Sequence, residues 1–118
     1  LGRDPPLSAL FACNDLMAVG VIRAARERGW QIPADLSVAG FDDVSLASFV
    51  SPALTTVAQP KYEMGVVATN LLIERMENGD RPPRHRVLET RLIVRQSTAP
   101  VGGERRDVDE PLREGERI

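Results

Sequence analysis

The order of the apolar segments constrains the fold of this chain more than any other feature. A short apolar run at residues 10–13 is followed by helix-forming residues 16–28 and then by a second apolar run at residues 36–41. A helix between two buried strands of this length predicts a parallel strand pair joined by a crossover. A third short strand, rich in β-branched residues, is predicted at residues 54–58. We therefore expect an α/β fold in which helices flank a parallel sheet.

Further elements follow from local patterns. Gly29 is the expected residue just past the end of the first helix. Residues 44–50 have room for about two helical turns, and residues 60–78 carry an apolar stripe with a 3.6-residue period. Residues 87–94 alternate between apolar and polar side chains, which predicts a half-exposed strand of the kind found at a sheet edge.

Polar side chains stand at the exit of each of the first three predicted strands: Asn14, Asp42 and Gln59. Ligands of open α/β sheets bind beyond the carboxyl ends of the strands, so these three side chains are candidates to meet around one polar small molecule. Simpler roles stay open, because Asn14 or Asp15 can cap the first helix and Gln59 can close a turn. Asp43 could cap the segment after it, which would leave Asp42 free to accept hydrogen bonds from two hydroxyl groups.

Catalytic and cofactor chemistry find little support in the sequence. His85, the single histidine, lies in a polar loop, and Cys13 has no visible base beside it, so we expect a buried inert thiol. No histidine or cysteine pair has metal-ligand spacing, and no glycine-rich phosphate loop is present. We expect a protein that is not an enzyme and that needs no metal and no cofactor.

Charge and composition restrict the partners. The net charge of −2 and a pI near 5.4 argue against a nucleic-acid-binding surface on this stretch. The sequence shows no membrane-spanning run and no signal-peptide pattern. A single cysteine suits the reducing cytoplasm. The first helix is apolar nearly all round at its start, which predicts that a partner subunit covers the face turned away from the sheet.

Two regions are expected along the chain. Residues 1–100 form the folded part, and residues 101–118 form a charged tail whose low hydrophobicity predicts disorder. The sequence has no initiating Met, so we expect a piece of a longer protein. In isolation it should be prone to aggregation, because residues 61–78 carry an apolar face with nothing to pack on.

Four motifs, taken in order, resemble the LacI/GalR family of bacterial transcription regulators. They are FACNDLMAVG (11–20), IPADLSVAGFDD (32–43), PALTTVAQP (52–60) and LIVRQST (92–98). The similarity covers residues 8–99 and corresponds to the carboxyl-terminal part of the effector-binding domain. It implies two α/β subdomains joined by crossing strands, similar to periplasmic sugar-binding proteins, with the effector in the cleft between them.

The resemblance also implies roles for individual residues. Asn14 and Asp42 match effector-contacting positions, and Gln59 lies at the crossing between the subdomains. The implied dimer surface comprises Val19, Ile22, Leu46, Phe49 and Val50. We expect a sugar as the effector, with a purine as the alternative. Operator DNA would be bound by an amino-terminal helix-turn-helix that these residues do not include. The alternatives are a solute-binding protein of a sugar transporter and a small α/β enzyme that uses Asp42 or Asp43 as a base.

Overall fold

The parallel α/β sheet expected from the sequence is confirmed. A computed structural model describes residues 7–79 and 82–101. Within these ranges the strands are β1 (Ala9–Phe11), β2 (Ser37–Asp42), β3 (Thr55–Ala58) and β4 (Arg91–Ile93), and the helices are α1 (Asp15–Glu27), α2 (Leu46–Phe49) and α3 (Lys61–Glu77). The sheet order is β1-β2-β3-β4; the first three strands run parallel, and β4 pairs antiparallel with β3 at the edge.

Helix α1 packs on the sheet through small and branched side chains. Ala18 and Ile22 are buried in the same core cluster as Val38 of β2 and Leu54. The methyl group of Ala18 keeps the helix axis close to the strands, and burial of these apolar side chains is the main force that holds the pair together. The helix ends where predicted, because Gly29 adopts φ +80°, a left-handed conformation that glycine accepts without a Cβ clash.

The segment after β4 runs past the first residues of β2 and β3, where Ser97 holds it in place. Its buried hydroxyl accepts the Thr55 N–H at 2.8 Å and donates to the Val38 carbonyl at 2.5 Å. The Val38 N–H in turn donates to the Ser97 carbonyl at 2.8 Å. These bonds join β2 and β3 to a residue that lies about 40 to 60 positions further along the chain.

Two predicted elements are shorter than expected. The strand predicted at residues 87–94 is limited to Arg91–Ile93, because its partner β3 has only four residues to pair with. The helix predicted at residues 44–50 is the single turn α2, because the Val44 N–H bonds to a distant carboxylate and Val50 is already extended.

Helix α3 buries none of its side chains against the described part of the chain. Val67 and Leu71 are half-buried, whereas Met64, Leu72 and Met76 of the predicted stripe are exposed. No helix in residues 7–79 and 82–101 is both long and apolar enough to cross a membrane. The predicted tail lies, apart from Val101, outside the described residues, so the boundary at residue 100 stays a prediction.

Candidate functional site

The three predicted ligand-binding residues lie at the carboxyl edge of the sheet, which is the end at which the parallel strands β1, β2 and β3 stop. Phe11 of β1 pairs with Ala39 of β2, and Asn14 and Asp42 each lie three residues beyond these paired positions. Asp42 itself pairs with Ala58 of β3, and Gln59 follows directly. All three strands run parallel, so their carboxyl ends meet where open α/β sheets bind ligands.

Asp42 and Gln59 are in direct contact. The side-chain amide of Gln59 donates to Asp42 Oδ1, and the Lys61 ammonium group donates to the Asp42 carbonyl oxygen. Both Asp42 and Gln59 are half-buried. Within the described residues nothing donates a hydrogen bond to Asp42 Oδ2, so this oxygen can accept one from a ligand hydroxyl. Lys61 was missed at the sequence level, because nothing in the helical pattern of α3 marks its first residue.

Asn14 has a structural role at the same edge. Its Oδ1 accepts the Met17 N–H at 2.9 Å, so Asn14, and not Asp15, caps α1. The cap occupies the oxygen of the side-chain amide. The Nδ2 group makes no hydrogen bond to the described residues and is a donor that a ligand can use.

Asp15 is a buried carboxylate that links α1 to β3 and to the turn before α2. Its side chain is 0% exposed, Oδ1 accepts the Thr56 hydroxyl of β3 at 2.5 Å, and Oδ2 accepts the Val44 N–H at 2.8 Å. Gly40 of β2 lies against it, and a Cβ there would clash with Oδ1 and come within 3.2 Å of the Asp15 Cα. Sequence reasoning missed this link, although a glycine inside a buried strand is a signal of close approach.

The prediction that Asp43 caps α2 is wrong. Ser45 occupies the cap position and makes no side-chain cap bond. Asp43 instead forms an ion pair with Arg95, with 2.7 Å between Asp43 Oδ1 and an Arg95 guanidinium nitrogen. The partner lies 52 residues away in the chain, and no local pattern could have identified it.

The five residues of the predicted dimer surface divide into two groups. Leu46 is exposed, Phe49 is 83% exposed, and Val19 is half-buried. Ile22 has to be corrected: it is 4% exposed, because its side chain faces β2 and belongs to the core of this chain. Val50 is half-buried and packs against the same core.

Candidate catalytic groups lie apart from this edge or lack partners. In residues 7–79 and 82–101 no three His, Cys, Asp or Glu side chains are grouped so that they could hold a metal ion. His85 is exposed in the loop before β4. Cys13 is exposed, which corrects the expectation of a buried thiol, because it lies past the end of β1 in the bend that leads to α1.

Comparison with known proteins agrees with the fold. Residues 1–98 match the model of the periplasmic binding protein-like domain. The chain is 42% identical over 90 residues to the ribose operon repressor of Haemophilus influenzae, which covers 76% of this chain and 27% of the relative. It is 41% identical over 98 residues to the HTH-type transcriptional repressor CytR of Escherichia coli K12, which covers 83% of this chain and 29% of the relative.

A solved structure shows the same architecture. The LacI family transcriptional regulator of Enterococcus faecalis V583, with bound ribose, superposes with a TM-score of 0.72 at 41% identity, over 78% of this chain and 34% of that one. The fold and the matching family model thus define a periplasmic-binding-protein-like domain. The chain belongs to the LacI/GalR family of transcription regulators. It spans less than a third of the length of these two curated relatives.

Proposed function

We propose that this chain forms one wall of the effector-binding cleft of a LacI-type transcription regulator. The observation that carries the proposal is the Asp42 carboxylate at the carboxyl edge of the parallel sheet. The Gln59 amide donates to one of its oxygens, and no group in residues 7–79 and 82–101 donates to the other. The repressors at 41–42% identity and the ribose-bound regulator support it. Operator DNA would be bound by an amino-terminal helix-turn-helix, and the protein would act in the cytoplasm without catalysing a reaction.

The effector we propose is a sugar. Asp42 Oδ2 can accept a hydrogen bond and Asn14 Nδ2 can donate one, which together suit the paired hydroxyl groups of a sugar ring. The names of two similar proteins include ribose, so D-ribose is the first compound to test. A ligand in the cleft changes DNA affinity only if it binds one arrangement of the subdomains more tightly than the other.

A thermal-shift screen of the intact protein tests this proposal. The panel contains D-ribose, other mono- and disaccharides, sugar phosphates and adenosine, each added well above its expected Kd. A compound at 100 times its Kd stabilises the folded state by about 2.7 kcal/mol, which gives a measurable rise in Tm. We expect a sugar to give the largest rise and also to change the affinity for DNA from the gene's own promoter. A rise with adenosine alone would contradict the sugar, and no DNA binding with or without ligands would favour a solute-binding protein.

We further propose that α1 and α2 form a homodimer surface. The two helices are in contact, and beside their exposed apolar residues, Leu16, Met17, Leu46 and Phe49, lies the half-buried Val19. A second copy would remove this apolar surface from water, which is a favourable change of free energy. The surface lies next to the strand-end site, since α1 begins directly after Asn14. Ligand binding could therefore be coupled to the arrangement of the two subunits.

Replacement of Phe49 by Glu tests the dimer. We expect Phe49→Glu to convert the intact protein from dimer to monomer at micromolar concentration, because two carboxylates would have to be buried at the interface. Analytical ultracentrifugation measures the change. The matched control is Val87→Glu, which places the same charge at another exposed apolar position, outside α1 and α2, and should leave the dimer intact. An unchanged dimer in Phe49→Glu would remove Phe49 from the interface.

A further inference from the structure

The turn that presents Asp42 has an unusual backbone. Asp42 has φ +112° and Asp43 has φ +49°, although neither residue is glycine. Positive φ values at two consecutive non-glycine residues strain the backbone, and such conformations persist only when surrounding contacts hold them in place. The contacts that hold this turn therefore also determine where the Asp42 carboxylate lies.

Arg95 ties this turn to the start of β3. One guanidinium nitrogen donates to Asp43 Oδ1 at 2.7 Å, and a second donates to the Leu54 carbonyl at 2.9 Å. The Arg95 main-chain N–H donates to the Thr55 hydroxyl at 2.9 Å. The main chain of Arg95 is therefore fixed to the first residue of β3, and its side chain is fixed to Leu54, the residue just before that strand. The ion pair is shielded, with side-chain exposures of 20% for Arg95 and 27% for Asp43. It therefore ties the turn to the sheet far more firmly than an exposed pair would.

The turn is also held at its far end. The Val44 N–H donates to the buried carboxylate of Asp15 at 2.8 Å. Asp43 thus lies between two attachments, one to α1 through Val44 and one to β3 through Arg95. Because Asp42 adjoins Asp43 and contacts Gln59, a shift of Asp43 changes the direction of the Asp42 carboxylate.

We propose that Arg95 is a positioning residue for effector binding, which acts through Asp43 to hold the Asp42 carboxylate at the edge of the sheet. The inference rests on the proposed function, because it takes Asp42 as a ligand contact. Lysine could not replace Arg95 here, since a single ammonium group cannot span the Leu54 carbonyl and the Asp43 carboxylate as the planar guanidinium does. Arg95→Lys keeps the charge and removes the geometry.

Amide hydrogen exchange on the intact protein tests the positioning without any ligand. We expect Arg95→Lys to raise the exchange rates of the residue 43 and 44 amides about tenfold and to leave the Val38 amide of β2 unchanged. The matched control is Arg84→Lys, which alters an ion pair of 3.0 Å to Glu74 in which both side chains are 49% exposed. It should leave both regions unchanged. Unaltered exchange at residues 43 and 44, or an equal rise at Val38, would overturn the proposal.

Calorimetric titration with D-ribose measures the consequence for binding. We expect Arg95→Lys and Asp43→Asn each to weaken binding at least tenfold, and Arg95→Lys to cause no further loss in an Asp42→Ala background. Normal ribose affinity in Arg95→Lys would overturn the positioning role. If the wild-type protein does not bind ribose, the choice of sugar is at fault, and the exchange experiment alone decides for or against Arg95.

Discussion

Gly40→Ala should cost the intact protein at least about 3 kcal/mol of unfolding free energy. The added Cβ would clash with the Asp15 carboxylate and lie 3.1 Å from a Leu54 methyl group and 3.2 Å from the Asp15 Cα. Overpacking of a core costs about 1–3 kcal/mol, and each buried polar group left without its partner adds about 1–3 kcal/mol. Both costs apply, because moving Asp15 breaks its bonds to Thr56 and to the Val44 N–H.

Urea unfolding monitored by circular dichroism measures this loss. The matched control is Gly79→Ala, since a Cβ at this exposed position meets nothing within 4 Å and its φ is not in the left-handed region. The same chemical change should alter stability there by less than about 1 kcal/mol. If the two variants unfolded at the same urea concentration, the close approach of Asp15 to Gly40 would not be a feature of the folded protein.

Asp42→Ala should weaken sugar binding at least tenfold while the protein stays folded. A hydrogen bond to a charged group contributes about 1.5–3 kcal/mol, and each 1.4 kcal/mol corresponds to a factor of ten in Kd. The substitution also releases the Gln59 amide, which loses its partner at the edge of the sheet. DNA affinity in the absence of sugar should be unchanged, because Asp42 lies at the end of β2, where we propose the effector cleft, and the proposed DNA-binding segment lies outside these residues.

The control for this variant is Asp35→Ala. Asp35 carries the same charge but lies before β2, at the opposite edge of the sheet, where its carboxylate accepts the Gln31 N–H at 2.7 Å. Calorimetric titration of both variants with the sugar identified by the screen compares the two ends of the sheet. Wild-type affinity in Asp42→Ala would remove this residue from the binding site, and an equal loss in Asp35→Ala would indicate a general effect of lost charge.

The sheet could be predicted from the sequence because its signals are local. Apolar runs of strand length, the Asn14 cap and the left-handed Gly29 all depend on residues within a few positions of one another. The parallel order followed from the helix between the first two strands, which leaves the chain only one compact way to pair them. The position of Asn14, Asp42 and Gln59 at one edge then followed from the topology alone.

Long-range partners could not be predicted in this way. Asp15 and Asp43 both looked like helix caps, since that is what a carboxylate before a helical segment usually does. Their actual partners, Thr56 and Arg95, lie 41 and 52 residues away. Ile22 was placed on the dimer surface by the family resemblance. The pattern of α1 offered no check, because the helix is apolar nearly all round at its start and does not reveal which face packs on the sheet.

The most direct test of the binding site is a crystal structure of the intact protein with its sugar bound. We expect the sugar at the carboxyl edge of the sheet, with Asp42 Oδ2 about 2.5–3.0 Å from a ring hydroxyl and Asn14 Nδ2 within hydrogen-bond distance of another. The Asn14 cap and the Arg95–Asp43 ion pair should be retained. A sugar bound elsewhere, or bound at this edge with no contact to Asp42, would contradict the account.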